Sequence, residues 1–306
     1  MGSGELGCPA VEQLLSSTQD ELVAVVTQPD RPQGRKLHLA ACPVKQFVTG
    51  CGVLVLTPEK CGAPEFITQL AALRPDLIVV ATYGQFLPRT LLDLSPHGVI
   101  NVHPSLLPKY RGAAPIQWAI ANGETETGVS IIYLTEKMDA GDILVQECLP
   151  IAPDDTAAIL SPRLATLGAE LLLRVIGDIR AGVVKRRPQN DALATRAPLL
   201  HKADGCLNWS QPAVVLHNRV RGFFPWPGCY FLLSRNPEKR VKVLKTSVAA
   251  GSGAPGSILQ ADANGLVIAA GHDALRLLEV QPEGKQPMTA AAFINGVRFR
   301  SGDQLV

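Results

Sequence analysis

Residues 98–120 read GVINVHPSLLPKYRGAAPIQWAI, and the reading of this stretch decides the fold. Its first part is apolar and β-branched, the signature of a buried strand. The run ends on Asn101 and His103, two residues apart, so in a strand both side chains project from one face. A loop punctuated by proline, glycine and cations follows, and then a helical pattern begins near Ala114. Strand, loop and helix together make the repeating unit of a parallel sheet covered by helices. In open sheets of this kind ligands bind beyond the C-terminal ends of the strands. An amide and an imidazole at that place point to chemistry.

The same unit recurs on both sides. ELVAVVT (21–27), GVLVLT (52–57), DLIVVAT (76–82), HGVINVH (97–103) and GVSIIYL (128–134) are short runs, apolar on both faces. PEFITQLAALRPD and AAPIQWAIANG read as helices. Residues 156–182 hold a longer one, with Leu164, Leu167, Leu171, Val175 and Ile179 at helical spacing and a kink or restart expected at Pro162. The expectation for residues 1–184 is therefore an α/β, doubly wound, mainly parallel sheet. A basic, proline-containing, aperiodic stretch over 185–200 reads as a linker. In residues 201–306, short strand candidates (GCYFLL, RVKVLK, GLVIAA, ALRLLEV) alternate with turns such as GSGAPGS, which predicts a small β-barrel.

Composition narrows the class. With 306 residues, 46% hydrophobic and 18% charged, the chain is globular and long enough for two cores. No apolar run approaches a membrane span and no signal-peptide pattern opens the chain, so a cytoplasmic location is expected. The seven cysteines (Cys8, Cys42, Cys51, Cys61, Cys148, Cys206, Cys229) are scattered and never form C-x-x-C. That predicts free thiols and no metal site. Net charge is +2, but residues 191–306 carry 13 Lys and Arg against 8 Asp and Glu, while residues 1–190 carry 16 against 19. A basic second half admits a polyanionic partner without requiring one.

Residues 2–7, GSGELG, match the glycine pattern of a dinucleotide-binding turn. That pattern needs a strand before it, and only Met1 precedes Gly2. The next strand, ELVAVVT, also ends without an acid to hold a ribose. The glycines read as a strand-to-helix turn whose opening strand is apparently missing, because the start is truncated or misassigned or because the sheet lacks that strand.

GVSIIYL leads into TEKMDAGD. Parallel strand order would bring Asp139 to the edge that carries His103. Taken singly, Asn101 caps a strand, His103 is a half-buried ring and Asp139 starts a turn. Together they suit acyl transfer between nitrogens. Asn101 and a charged His103 would stabilise negative charge on the carbonyl oxygen. Asp139 would accept the proton of the attacking amine, directly or through water. No serine or cysteine is placed as a nucleophile. His38, His97, His201, His217 and His272 are dispersed and receive no catalytic role.

INVHPSLLPKYRGAAPIQWAI, TGVSIIYLTEKMDAGDIL, VVTQPDRPQGRK, LNWSQPAVVLHNRVRGFFPWPGCY and ALRLLEVQPEGKQPM resemble the methionyl-tRNA formyltransferase family, over essentially the whole chain. The resemblance implies a Rossmann-like formyltransferase domain and an OB-like barrel that binds tRNA. It implies a formyl donor, 10-formyl-tetrahydrofolate, an acceptor, methionyl initiator tRNA, and no metal. Asn101, His103 and Asp139 match the family's catalytic trio. Ser105, Leu106, Leu107 and Pro108 match its folate-binding stretch, with a cis bond expected from Leu107 to Pro108. Residues 28–45 match the loop that engages the tRNA acceptor end, where Arg31, Arg35 and Lys36 would meet phosphates. A monomer is expected. Two alternatives stand beside this reading: transfer to a small amine, such as an amino sugar nucleotide or a purine precursor, and a non-catalytic relative that binds folate or tRNA.

Overall fold

The structure, a computed structural model, describes residues 1–33, 38–233, 236–297, 299, 304 and 305. The chain forms two units. The first comprises Met1–Pro115, Glu126–Pro150 and Ser161–Pro198, and the second comprises Ile116–Thr125, Ile151–Leu160 and Leu199–Val306.

The sheet of the first unit contains β1 (Val25–Val26), β2 (Val55–Leu56), β3 (Ile78–Val80), β4 (Val99–His103), β5 (Glu126–Tyr133) and β6 (Ile143–Pro150). β1 runs parallel to β2, and β3 runs parallel to β4. Residues 1–2 join the two pairs. Gly2 N donates to Val26 O (2.9 Å), Met1 N to Val79 O (2.6 Å) and Ala81 N to Met1 O (2.9 Å). The central position, expected to be empty, is thus held by a two-residue stub between β1 and β3. Val26, Leu56, Ile78, Val80 and Val99 pack with Phe66 and Leu70 of helix Pro64–Ala72 to form the core on this sheet.

The glycines of GSGELG serve close packing. A Cβ on Gly2 would stand 2.7 Å from Ala81 O, and one on Gly4 would stand 2.7 Å from Thr82 Oγ1. The segment then turns through Glu5–Gly7 into helix Cys8–Ser16, the strand-to-helix turn that the sequence suggested.

The expected parallel direction of β5 is not found. β5 is antiparallel to β4, with His103 opposite Ser130 and Ile100 opposite Tyr133, and β6 is antiparallel to β5. β5 is buried on both faces, and such a strand has the same composition whichever way it runs. β6 had no counterpart in the sequence reading. It is partly exposed, and its polar residues interrupt the apolar run. Helix Ala157–Arg180 continues through Pro162 without a restart.

The second unit is built on β7 (Cys229–Leu233), β8 (Asn236–Ala249), β9 (Ile258–Asp262), β10 (Gly265–Ala269), β11 (Ala274–Pro282) and β12 (Met288–Thr289). These form an antiparallel sheet in the order β7-β8-β11-β10-β9, with β12 on β11. Leu305 bridges Leu233 at one edge, and Gln304 bridges Ser257 beside the other. Tying the two edges together is what closes a barrel.

Gly2→Val should cost about 1–3 kcal/mol through overpacking at Ala81 and lower the thermal midpoint measured by circular dichroism. An unchanged midpoint would show that the stub does not bind the two strand pairs together.

Candidate active site

All five residues of β4 are buried, Asn101 and His103 included. Burying an amide or an imidazole is costly unless it finds a partner. His103 has one at each ring nitrogen: Nε2 lies 3.0 Å from the Tyr110 carbonyl oxygen and Nδ1 lies 3.7 Å from Asp139 Oδ2. A carbonyl oxygen only accepts, so Nε2 carries a proton, and Nδ1 is the nitrogen turned to the carboxylate. The Asn101 side chain makes no hydrogen bond to any described residue. Its amide donors are available to a ligand.

Asp139 does not reach His103 by parallel strand order. β5 ends beside Ile100, so the connection over 134–142 carries Asp139 back. Gln189 Nε2 donates to the carbonyls of Asp139 and Gly141, both at 2.8 Å. Gly112 N donates to Asp139 Oδ2 at 2.9 Å. Asp139 itself adopts φ +49°, a left-handed conformation that aspartate tolerates better than most residues. A Cβ on Gly141 would stand 1.8 Å from Tyr133 O, so only glycine fits there.

Gln189 is gripped in turn. Its Oε1 accepts from Arg111 Nε (3.1 Å) and Nη2 (2.8 Å), and Arg111 Nη2 also donates to Asp191 Oδ1 at 2.8 Å. The guanidinium holds the Asp191 carboxyl below its ordinary pKa. Thr195 Oγ1 accepts from Tyr110 N (2.8 Å), and Arg196–Ala197 pairs with Arg111–Gly112. Residues 187–197, which read as part of a linker, frame the site. Gln189, Arg111 and Thr195 had no signal in the sequence, because their roles depend on contacts made across 48 residues or more.

The loop after β4 is fixed from beneath. Ser130 Oγ donates to Ser105 O (2.6 Å) and accepts from Leu107 N (3.1 Å). Gln146 Nε2 donates to Leu107 O (2.9 Å) and Ser130 Oγ (2.8 Å). The bond from Leu107 to Pro108 is cis. Of the four residues matched to folate binding, Ser105 donates its hydroxyl to Lys109 O and Leu107 packs on Ile132 and Ile143. Leu106 and Pro108 are half-buried.

Arg31 opens a hairpin in which Arg31–Gln33 pairs with His38–Ala40. It is exposed and forms an ion pair with Glu59 at 2.8 Å. Arg35 and Lys36 lie outside the described residues. Burial raises the thiol pKa of Cys8 and Cys61 and pushes that of Cys229 up to about 12, which disfavours the nucleophilic thiolate. Among the described residues no cluster of three His, Cys, Asp or Glu is arranged to hold a metal. No described helix is long and apolar enough to cross a membrane.

The formyl transferase family model matches residues 1–176, and the formyl transferase C-terminal domain model matches residues 199–298. The methionyl-tRNA formyltransferase of Geobacter metallireducens is 43% identical over 305 residues, covering 100% of this chain and 97% of that protein. The chain belongs to the methionyl-tRNA formyltransferase family. It is a formyltransferase. The Myxococcus xanthus member is 45% identical over 284 residues, 93% of this chain and 90% of that protein. Among solved structures, WlaRD, a sugar 3N-formyl transferase crystallised in the presence of dTDP and 5-N-formyl-THF, superposes with a TM-score of 0.68. It is 18% identical, with 93% of this chain and 97% of that chain covered. HypX from Aquifex aeolicus in complex with tetrahydrofolic acid gives a TM-score of 0.57 at 19% identity, covering 85% of this chain and 47% of that chain. These two show that the fold is shared.

Gln189→Leu should release the turn that carries Asp139. If Asp139 takes part in the reaction, displacing it by about 1 Å costs on the order of a hundredfold in rate. Steady-state kinetics should show that loss in kcat with substrate KM little changed, and wild-type kcat would contradict the clamp.

Proposed function

We propose that Asn101, His103 and Asp139 transfer a formyl group from 10-formyl-tetrahydrofolate to the α-amine of methionine on initiator tRNA, for translation initiation. The observation that carries this reading is the 3.7 Å approach of Asp139 to His103 Nδ1, on the strand that also carries Asn101, whose amide bonds to no described residue. In the reaction the amine nitrogen bonds to the formyl carbon and the bond from that carbon to N10 of the donor breaks. One proton leaves the amine and one arrives at N10. Negative charge develops on the formyl oxygen between the two events.

Asn101 Nδ2 and a protonated His103 Nδ1 supply donors for that oxygen, set in place before the reaction begins. Asp139 accepts the amine proton, directly or through one water, with Oδ2 oriented by Gly112 N. Separations in a substrate-free site commonly exceed those of the reacting complex, so 3.7 Å suits a pair that tightens around substrate. Ser105, Leu106, Leu107 and Pro108 form the folate wall: Ser130 and Gln146 set its backbone, and Leu106 and Pro108 offer apolar surface.

Arg31, Arg35 and Lys36 receive acceptor-end phosphates, with Arg31 exchanging Glu59 for a phosphate. The functional division is a catalytic domain over 1–184, a connection over 185–200 and a tRNA-binding barrel over 201–306, in a cytoplasmic monomer. Full-length relatives at 43–45% identity carry the tRNA name, while a sugar enzyme of this fold is 18% identical. That contrast favours tRNA over a small amine.

Asp139→Asn should lower kcat for formylation of methionyl initiator tRNA by on the order of 10²–10⁴-fold, with donor binding only modestly weaker. Unchanged turnover would remove Asp139 from the mechanism.

A further inference from the structure

β6 borders the sheet of the first unit on the side away from β5, and Arg187 bridges it there through Ile143. Residues 185–187 and 143–146 line a cleft of about 440 Å³. Lys185, Arg186 and Arg187 are consecutive and exposed, and none has a carboxylate partner among the described residues. The carboxylate of Glu147, on the same strand, faces Arg174 at 3.9 Å instead. Three cations without a compensating acid repel one another, and a bound polyanion relieves that repulsion.

Two of the three are also held in place. The Arg186 guanidinium lies 4.1 Å from the centroid of the Tyr133 ring, and Arg187 Nη2 donates to Gln146 Oε1 at 3.1 Å. Guanidiniums ordered in advance lose little rotamer freedom on binding, and their fork of donors matches phosphate oxygens. The Gln146 side chain that orders Arg187 also holds Leu107 O, so the rim shares a residue with the loop that follows His103.

We propose that Lys185, Arg186 and Arg187 form a phosphate-binding rim that takes the sugar-phosphate backbone of the tRNA acceptor arm. The inference rests on the tRNA reading above and adds a contact surface distinct from the loop at 28–45. The exposure of all three cations suits a long polyanion lying across the surface better than a small one enclosed by it.

The test uses the full chain and methionyl initiator tRNA, with binding measured against salt concentration in the absence of donor. In K185A/R186A the negative slope of log K on log salt should become shallower by about 1.4–1.8, for two phosphate contacts at about 0.7–0.9 each. Affinity near physiological salt should drop by on the order of tenfold, while K185R/R186K keeps the wild-type slope. At saturating tRNA, kcat and the donor KM should not change. An unchanged slope in K185A/R186A overturns the proposal. So does a rise in donor KM that grows with the donor's glutamate tail, which would assign the rim to folate. Binding needs no turnover, so its result stands whether or not the chain formylates tRNA, and absent turnover in the wild type would strike only the catalytic reading.

Discussion

One imidazole held from two sides organises the site. The Tyr110 carbonyl at His103 Nε2 fixes which nitrogen carries the permanent proton, and so leaves Nδ1 facing Asp139. Had Nε2 faced a donor instead, the neutral ring would place its proton on Nδ1, and the atom beside Asp139 would no longer be the one that gains and loses it. Each partner of the ring is itself restrained. Tyr110 adopts φ +62° and donates its N–H to Thr195, while Asp139 is set by Gly112 and Gln189. Thr195 and Gln189 belong to a segment that runs back past the sheet after the long helix. The geometry around His103 is therefore assembled from three distant stretches of chain and is lost if any one lets go.

The sheet beneath supplies the rigidity. β4 is paired on both sides, to β3 and β5, and β3 is joined to β1 through two residues at the start of the chain. Groups built on a paired, buried strand are placed more accurately than groups on a loop. Asn101 and His103 sit on such a strand. Asp139 sits on a turn, and it is the member of the trio that needs the most outside support.

What the sequence made legible was local. Alternation along one strand put Asn101 and His103 on a shared face without any knowledge of the rest of the fold. The apolar runs of β1 to β5 were recognisable because burial on both faces leaves a compositional mark. That same mark concealed the direction of β5, so the route expected for Asp139 was mistaken although His103 and Asp139 do approach. The central stub was invisible because two residues cannot display a period. Gln189, Arg111, Ser130 and Gln146 were invisible for another reason: a polar side chain acquires its role from the backbone atoms that pairing brings to it. Ser105 and Leu107 belong to the expected loop, yet their side chains turn to protein, which only the register of β5 and β6 decides.

The most direct measurement is the protonation of His103 by ¹⁵N NMR of histidine-labelled protein, assigned with His103→Asn. The account predicts that Nε2 carries a fixed proton, bonded to the Tyr110 carbonyl, and that Nδ1 is the nitrogen whose signal responds to Asp139→Asn. A ring whose Nε2 lacks that proton, or an Nδ1 signal indifferent to Asp139→Asn, would contradict it.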